Sequence, residues 1–173
     1  MYTIDSKDTV RPLDVLPLPD TGAPLPTVVC NEWSLLVAYI TSAAPDPTWS
    51  GQSTSVVGPS TTGEPIVIVK FELVSSHMFG SPNDEAFTGH PLASRGLEPY
   101  GVFEVLQSSW IRTLERMNRV HPYHDPSTFS KCRHFVLSFH DSTFECVANG
   151  VKVVERLSGS MKQALGRMTE LTA

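Results

Sequence analysis

Residues 133–148 read RHFVLSFHDSTFECVA, two stretches of alternating polarity on either side of the polar break His140-Asp141-Ser142. A side-chain period of two marks extended strand, and two such runs around a short break predict an antiparallel hairpin. Counting outward from an Asp141-Ser142 turn sets His140 against Thr143, Phe139 against Phe144, Ser138 against Glu145 and Leu137 against Cys146. One face then carries Phe135, Leu137, Phe139, Phe144, Cys146 and Ala148, which must be covered by a hydrophobic layer. The other carries His134, Ser138, His140, Thr143 and Glu145, with Val136 and Val147 among them. Antiparallel sheets often leave a polar face to water. This face is short of the Lys, Arg and Glu expected there, and its two valines ask for cover.

The segment at residues 74–99, VSSHMFGSPNDEAFTGHPLASRGLEP, is the natural cover. It has no period and is punctuated by Gly80, Pro82, Gly89, Pro91, Gly96 and Pro99, so it reads as one long loop. Structureless loops beyond ~12–15 residues are uncommon in compact domains and are often functional. Met78, Phe79, Phe87 and Leu92 make this one too apolar for a disordered linker. It also carries His77, Asp84, Glu85, His90, Arg95 and Glu98.

Folded over the polar face, the loop would bring imidazoles and carboxylates together. That pairing suits general acid–base catalysis, because a carboxylate orients an imidazole that titrates near neutrality. The expected catalytic set is His140 as base or ligand, Glu145 as its carboxylate partner, and His90, Asp84 and Glu85 from the loop. Ser138, Thr143, His134 and Arg95 would bind substrate. The same donors suit a divalent metal as cofactor. His134 and His140, however, are six residues apart on one strand, roughly 20 Å at ~3.3 Å per residue, too far to share an ion.

Elsewhere the pattern is that of an α+β domain. Residues 1–27, with Pro12, Pro17, Pro19, Pro24 and Pro26, form an extended Pro-rich arm, since proline fixes φ and removes a donor. Leu13, Val15, Leu16 and Leu18 favour an arm laid across the surface. Residues 28–173 form the domain proper. A strand is expected within residues 28–41, loop at 42–63 with a short strand near Val56 and Val57, and strands at 66–73, 100–107 and 151–156. Val67, Val69, Phe71 and Leu73 should share one face. Ser108 or Ser109 caps a helix with Trp110, Ile111, Leu114 and Met117 as its buried stripe; Asp125-Pro126 starts a short helical turn. Asn149-Gly150 suits a two-residue hairpin turn. Ser158 or Ser160 caps the last helix, with Met161, Leu165 and Met168 on one face. The expected fold is a mostly antiparallel sheet of about five to seven strands with two main helices packed on one face.

Composition narrows the function classes. The net charge is -5 and basic residues are scattered, the densest run at Arg112–Arg119 being broken by Glu115, so nucleic acid is not an expected partner. The longest apolar run, residues 35–40, is far too short to span a bilayer, so no membrane association is expected. Three scattered cysteines, Cys30, Cys132 and Cys146, match no zinc or redox spacing; buried thiols in the reducing cytoplasm are expected. No Gly-x-Ser-x-Gly and no phosphate-loop motif occurs. The leading expectation is a small cytoplasmic enzyme acting on a small-molecule ligand at the polar face. The alternative is a non-catalytic binding or protein-interaction module, with a homodimer as one form.

Overall fold

The computed structural model describes residues 2–42 and 56–172. Most of the loop expected at 42–63 therefore lies outside the described residues; Val56 and Val57 are described and are not in a strand. Among the described residues nine strands form two antiparallel sheets, more strands than expected and one sheet more. The first sheet has the order β1 (Thr9–Pro12), β6 (Val102–Leu106), β7 (Arg133–Ser138), β8 (Thr143–Ala148), β5 (Ser76–Gly80). The second has the order β2 (Thr27–Cys30), β3 (Leu35–Ile40), β4 (Glu64–Glu72), β9 (Gly150–Gly159). No helix among the described residues is long and apolar enough to cross a membrane.

The sheets stack through the apolar face of the β7–β8 hairpin. Phe135, Leu137, Phe139, Phe144, Cys146 and Ala148 meet Leu35, Val37 and Tyr39 of β3 and Val67, Val69 and Phe71 of β4. Phe71 lies 5.2 Å from Phe144 and 5.8 Å from Phe135 between ring centroids, and Tyr39 lies 5.5 Å from Phe139. Aromatic contacts at these distances add to the burial term, which alone is about 1.5–3 kcal/mol for a buried Phe.

The two main helices sit on opposite outer faces, a correction to the expectation that they share one. β3 is apolar on both sides, LLVAYI, and β4 adds Ile66 and Ile68 to its outer side. The second sheet therefore needs a second layer. α3 (Met161–Leu171) supplies it, packing Met161, Ala164 and Met168 on Leu36, Ala38, Ile40, Ile66 and Ile68. α1 (Ser109–Asn118) packs Trp110 on the outer face of the first sheet instead. Their caps are Ser108, which accepts from Ile111 N, and Ser160, which forms a capping box with Gln163. Asp125 caps the short α2 (Pro126–Phe129). Met117 and Leu165, expected in the buried stripes, are exposed.

Three local expectations change. The strand expected at 28–41 is a hairpin, β2 and β3 around Asn31–Ser34. β7 and β8 pair Ser138 with Thr143, Leu137 with Phe144 and Val136 with Glu145, a slip of two residues from the expected register. A slip of two preserves side-chain parity, so both faces keep their residues. Asn149-Gly150 is not a hairpin turn: β8 already has β7 and β5 on its two edges, so the chain crosses to the other sheet and β9 pairs with β4. Leu73 makes the return crossing. Its φ of 50° turns the chain out of β4 and leaves its side chain 77% exposed, so it does not share the face of Val67, Val69 and Phe71.

Residues of the N-terminal arm are built into the fold. β1 is an edge strand, where Pro12 costs no ladder bond. Tyr2, Leu13 and Leu16 are buried, whereas Val15 and Leu18 are exposed. Of the cysteines, Cys146 is buried and burial pushes its thiol up well beyond the ordinary range. Cys132 is half-buried and Cys30 exposed, so the expectation of buried thiols holds for Cys146 alone.

Candidate functional site

From Pro82 onward the 74–99 segment lies on the polar face of the first sheet, but the segment is not structureless. It opens with β5 and continues through two short 3-10 turns at Phe87–Gly89 and Ala93–Arg95. Polar residues of the sheet hold it down at successive points. Thr143 Oγ donates to Pro82 O (3.0 Å), Ser138 Oγ donates to Glu98 O (2.7 Å) and accepts from Gly101 N (2.9 Å), and Glu145 accepts from His90. Ser138 and Thr143, expected to orient substrate, thus spend their hydroxyls on this segment's backbone. Phe87, Leu92 and Leu97 fill the space above Val136 and Val147.

Glu145 is the centre of a buried cluster. His90 Nε2 lies 3.1 Å from Oε1, His134 Nε2 2.9 Å from Oε2, and Tyr2 donates its hydroxyl to Oε2 at 2.6 Å. All four residues are buried. Proton positions follow from the far side of each ring. His90 Nδ1 accepts from Leu92 N at 3.1 Å, so it bears no proton and Nε2–H donates to Glu145. His134 Nδ1 faces Ser108 Oγ at 2.9 Å, a hydroxyl that fits either tautomer; it is the Glu145 carboxylate, which can only accept, that places the proton on His134 Nε2. Burial raises the Glu145 carboxyl, but the bonds from His134 and His90, the His134 charge and the Tyr2 hydroxyl outweigh it and bring it down to about 2. The cluster is closed: each ring nitrogen and each carboxylate oxygen has a partner.

His140 stands apart from this cluster, which corrects its expected pairing with Glu145. The β7–β8 ladder ends at Ser138–Thr143, and Glu145 is level with Val136 farther along it, so His140 lies in the turn beyond the end. There it meets a different carboxylate of the expected set. His140 Nδ1 is 3.2 Å from Asp141 Oδ1 and 3.7 Å from Asp84 Oδ1, and Asp84 N donates to His140 O at 2.8 Å. Tyr100 donates a short hydrogen bond to Asp84 and stands edge-on to the His140 ring. That bond lowers the Asp84 carboxyl, helped by Glu85 N–H and the His140 charge, and with partial burial it pushes the Tyr100 phenol up to about 12. Tyr100 holds a φ of 60°, a strained conformation for an aromatic residue. A groove of about 430 Å³ opens beside Asp141, lined among others by Pro24, Leu25, Phe79 and Ser142.

The expected residues therefore divide. His90, His134 and Glu145 come together under cover; Asp84 and His140 come together at the surface. Glu85 is exposed and offers its backbone N–H to Asp84 Oδ1, and Arg95 bonds Asp5 O at the far end of the segment. Tyr2, Ser108 and Tyr100 were not foreseen as site residues. Ser108 carried a capping signal only, and nothing in the sequence near Tyr2 or Tyr100 points to a carboxylate far along the chain. No group of three or more His, Cys, Asp or Glu among the described residues is placed to hold a metal ion. In the Glu145 cluster the imidazole N–H groups point at the carboxylate, so their lone pairs do not converge.

Fold and site together define a two-sheet α+β protein with two histidine–carboxylate clusters, one buried on the outer face of the first sheet and one at the β7–β8 turn. No family model matches the chain, and no curated protein or solved structure matches it either.

Proposed function

We propose that the chain is an enzyme of general acid–base type that acts on a small molecule at His140. The observation that carries this reading is the state of its ring. His140 Nδ1–H donates to Asp141, while Nε2 has no protein partner among the described residues and the side chain is 40% exposed. An imidazole oriented by one carboxylate, with another nearby to stabilise the charge it acquires, is suited to take a proton through Nε2. A groove lined by Asp141 and Ser142, the two residues that follow His140, falls within the usual ~300–1,000 Å³ of small-molecule sites, although His140 itself does not line it. Asp84 is held against His140 by the segment that the Glu145 cluster pins, so the buried histidines position and the surface one reacts.

A fragment screen by NMR tests it, with the His140 ring protons as reporter and His140→Gln as control. Binders should move His140 and Tyr100 and lose affinity in the variant, with thermal stability unchanged. Binders that leave His140 unmoved, or that bind the variant equally, sink the reading.

The interaction-module alternative has one observation of its own. Trp33 is 90% exposed at the tip of the β2–β3 hairpin, where Asn31 Oδ1 accepts from Trp33 N and Ser34 N at 2.8 Å each. An exposed tryptophan on a hydrogen-bonded turn is a frequent anchor in protein interfaces. If fragments ignore His140 and a protein partner protects Trp33, this second reading replaces the first.

A further inference from the structure

The buried cluster contains a side chain that enters it like a ligand. Tyr2 reaches Glu145 from 143 residues away in sequence, at the end of a segment whose residues 3, 5, 6 and 7 are exposed. Its ring stacks on Trp110 at 5.2 Å and 8° between planes, and stands edge-on to His134 at 5.3 Å. The hydroxyl donates to Glu145 Oε2. Floor, wall and acceptor all come from other parts of the fold: the outer face of β7 and β8, the first turn of α1, and the segment carrying His90. Between Tyr2 and β1 the chain is held by polar contacts. Asp8 accepts from Ser109 N at 2.7 Å and from Asp5 N at 2.8 Å, and Asp5 pairs with Arg112.

We infer that the pocket Tyr2 fills, stacked on Trp110 and beside His134, is a binding site for a planar aryl hydroxyl compound, with residues 2–8 as a displaceable strap whose Tyr2 is the resident occupant. The recognition chemistry is set by the site itself. A flat ring stacks on the indole and meets the imidazole at a right angle, and a neutral O–H donor satisfies a buried carboxylate that an apolar ring would leave one donor short. A free phenol competes with a tethered one, so its apparent affinity falls by the fraction of time the strap is open. This site is separate from His140 and stands whether or not His140 is catalytic.

The test uses the full chain carrying Tyr2→Gly, with p-cresol and toluene as probes. p-Cresol should bind the variant at least ~10-fold more tightly than toluene, which lacks the hydrogen bond to a charged acceptor. It should bind the unmodified chain at least ~10-fold more weakly than the variant, and at high concentration speed amide exchange within residues 3–8 there. A folded variant that binds neither probe, or both equally, overturns the inference. So does binding to the variant with no change in strap exchange in the unmodified chain. If Tyr2→Gly does not fold alone, the readout is rescue: p-cresol restores the folded signal and toluene does not, and failure of that rescue overturns the inference.

Discussion

Replacing Glu145 by Gln keeps the shape of the side chain and removes its charge. The amide oxygen can still accept from His134 and Tyr2, which share Oε2. Its NH2 group then faces His90 Nε2–H, donor against donor. His90 cannot escape by moving its proton, because Nδ1 already accepts from Leu92 N at 3.1 Å. Flipping the amide relieves this clash, because His134 can move its proton to Nδ1 against Ser108 and accept the amide N–H at Nε2, so what the variant loses is the charge. The carboxyl's fall from 4.5 to about 2 corresponds to roughly 3 kcal/mol at ~1.4 kcal/mol per unit. The expected loss is therefore about 3 kcal/mol, at the lower end of the ~3–5 kcal/mol range of broken buried charge pairs.

Urea unfolding at neutral pH measures it. With an m-value near ~2 kcal/mol/M, the midpoint should drop by about 1.5 M. The pH dependence has a fixed sign. A carboxyl lowered in the folded state contributes fully above its unfolded value near 4.5 and loses that contribution as pH falls toward about 2. The gap between parent and variant should therefore shrink by roughly half at about pH 3. A midpoint within ~0.5 M of the parent at neutral pH would refute the closed-cluster reasoning.

Ser108→Ala removes the α1 cap and the partner of His134 Nδ1 together, so urea unfolding should show a loss of about 2 kcal/mol; under ~0.5 would mean the hydroxyl is replaced by water. In Asp84→Asn the Tyr100 phenol should titrate well below about 12, read by tyrosinate absorbance with the other tyrosines as baseline; an unchanged titration would exclude Asp84 as the cause. Trp33→Ala should change stability by less than ~0.5 kcal/mol, since the side chain is exposed; a larger drop in melting temperature would mean that Trp33 packs in solution.

The alternation in residues 133–148 determined which side chains share a face. That assignment survives a register slip of two, because parity along a strand is a local property of the backbone. The caps were legible to within one or two residues, at Ser108 or Ser109, Asp125, and Ser158 or Ser160, for the same reason: a hydroxyl or carboxylate meets N–H groups two or three residues away, and the structure uses Ser108 and Ser160. The cover over Val136 and Val147 could be foreseen as a need and not as a geometry. What joined Glu145 to His90 rather than to His140, brought Tyr2 into the same cluster, and sent β9 across to β4 was decided by tertiary structure. Those contacts depend on which strand edges are still free and which apolar faces still lack a layer, properties of the assembled sheets that no single stretch of chain contains.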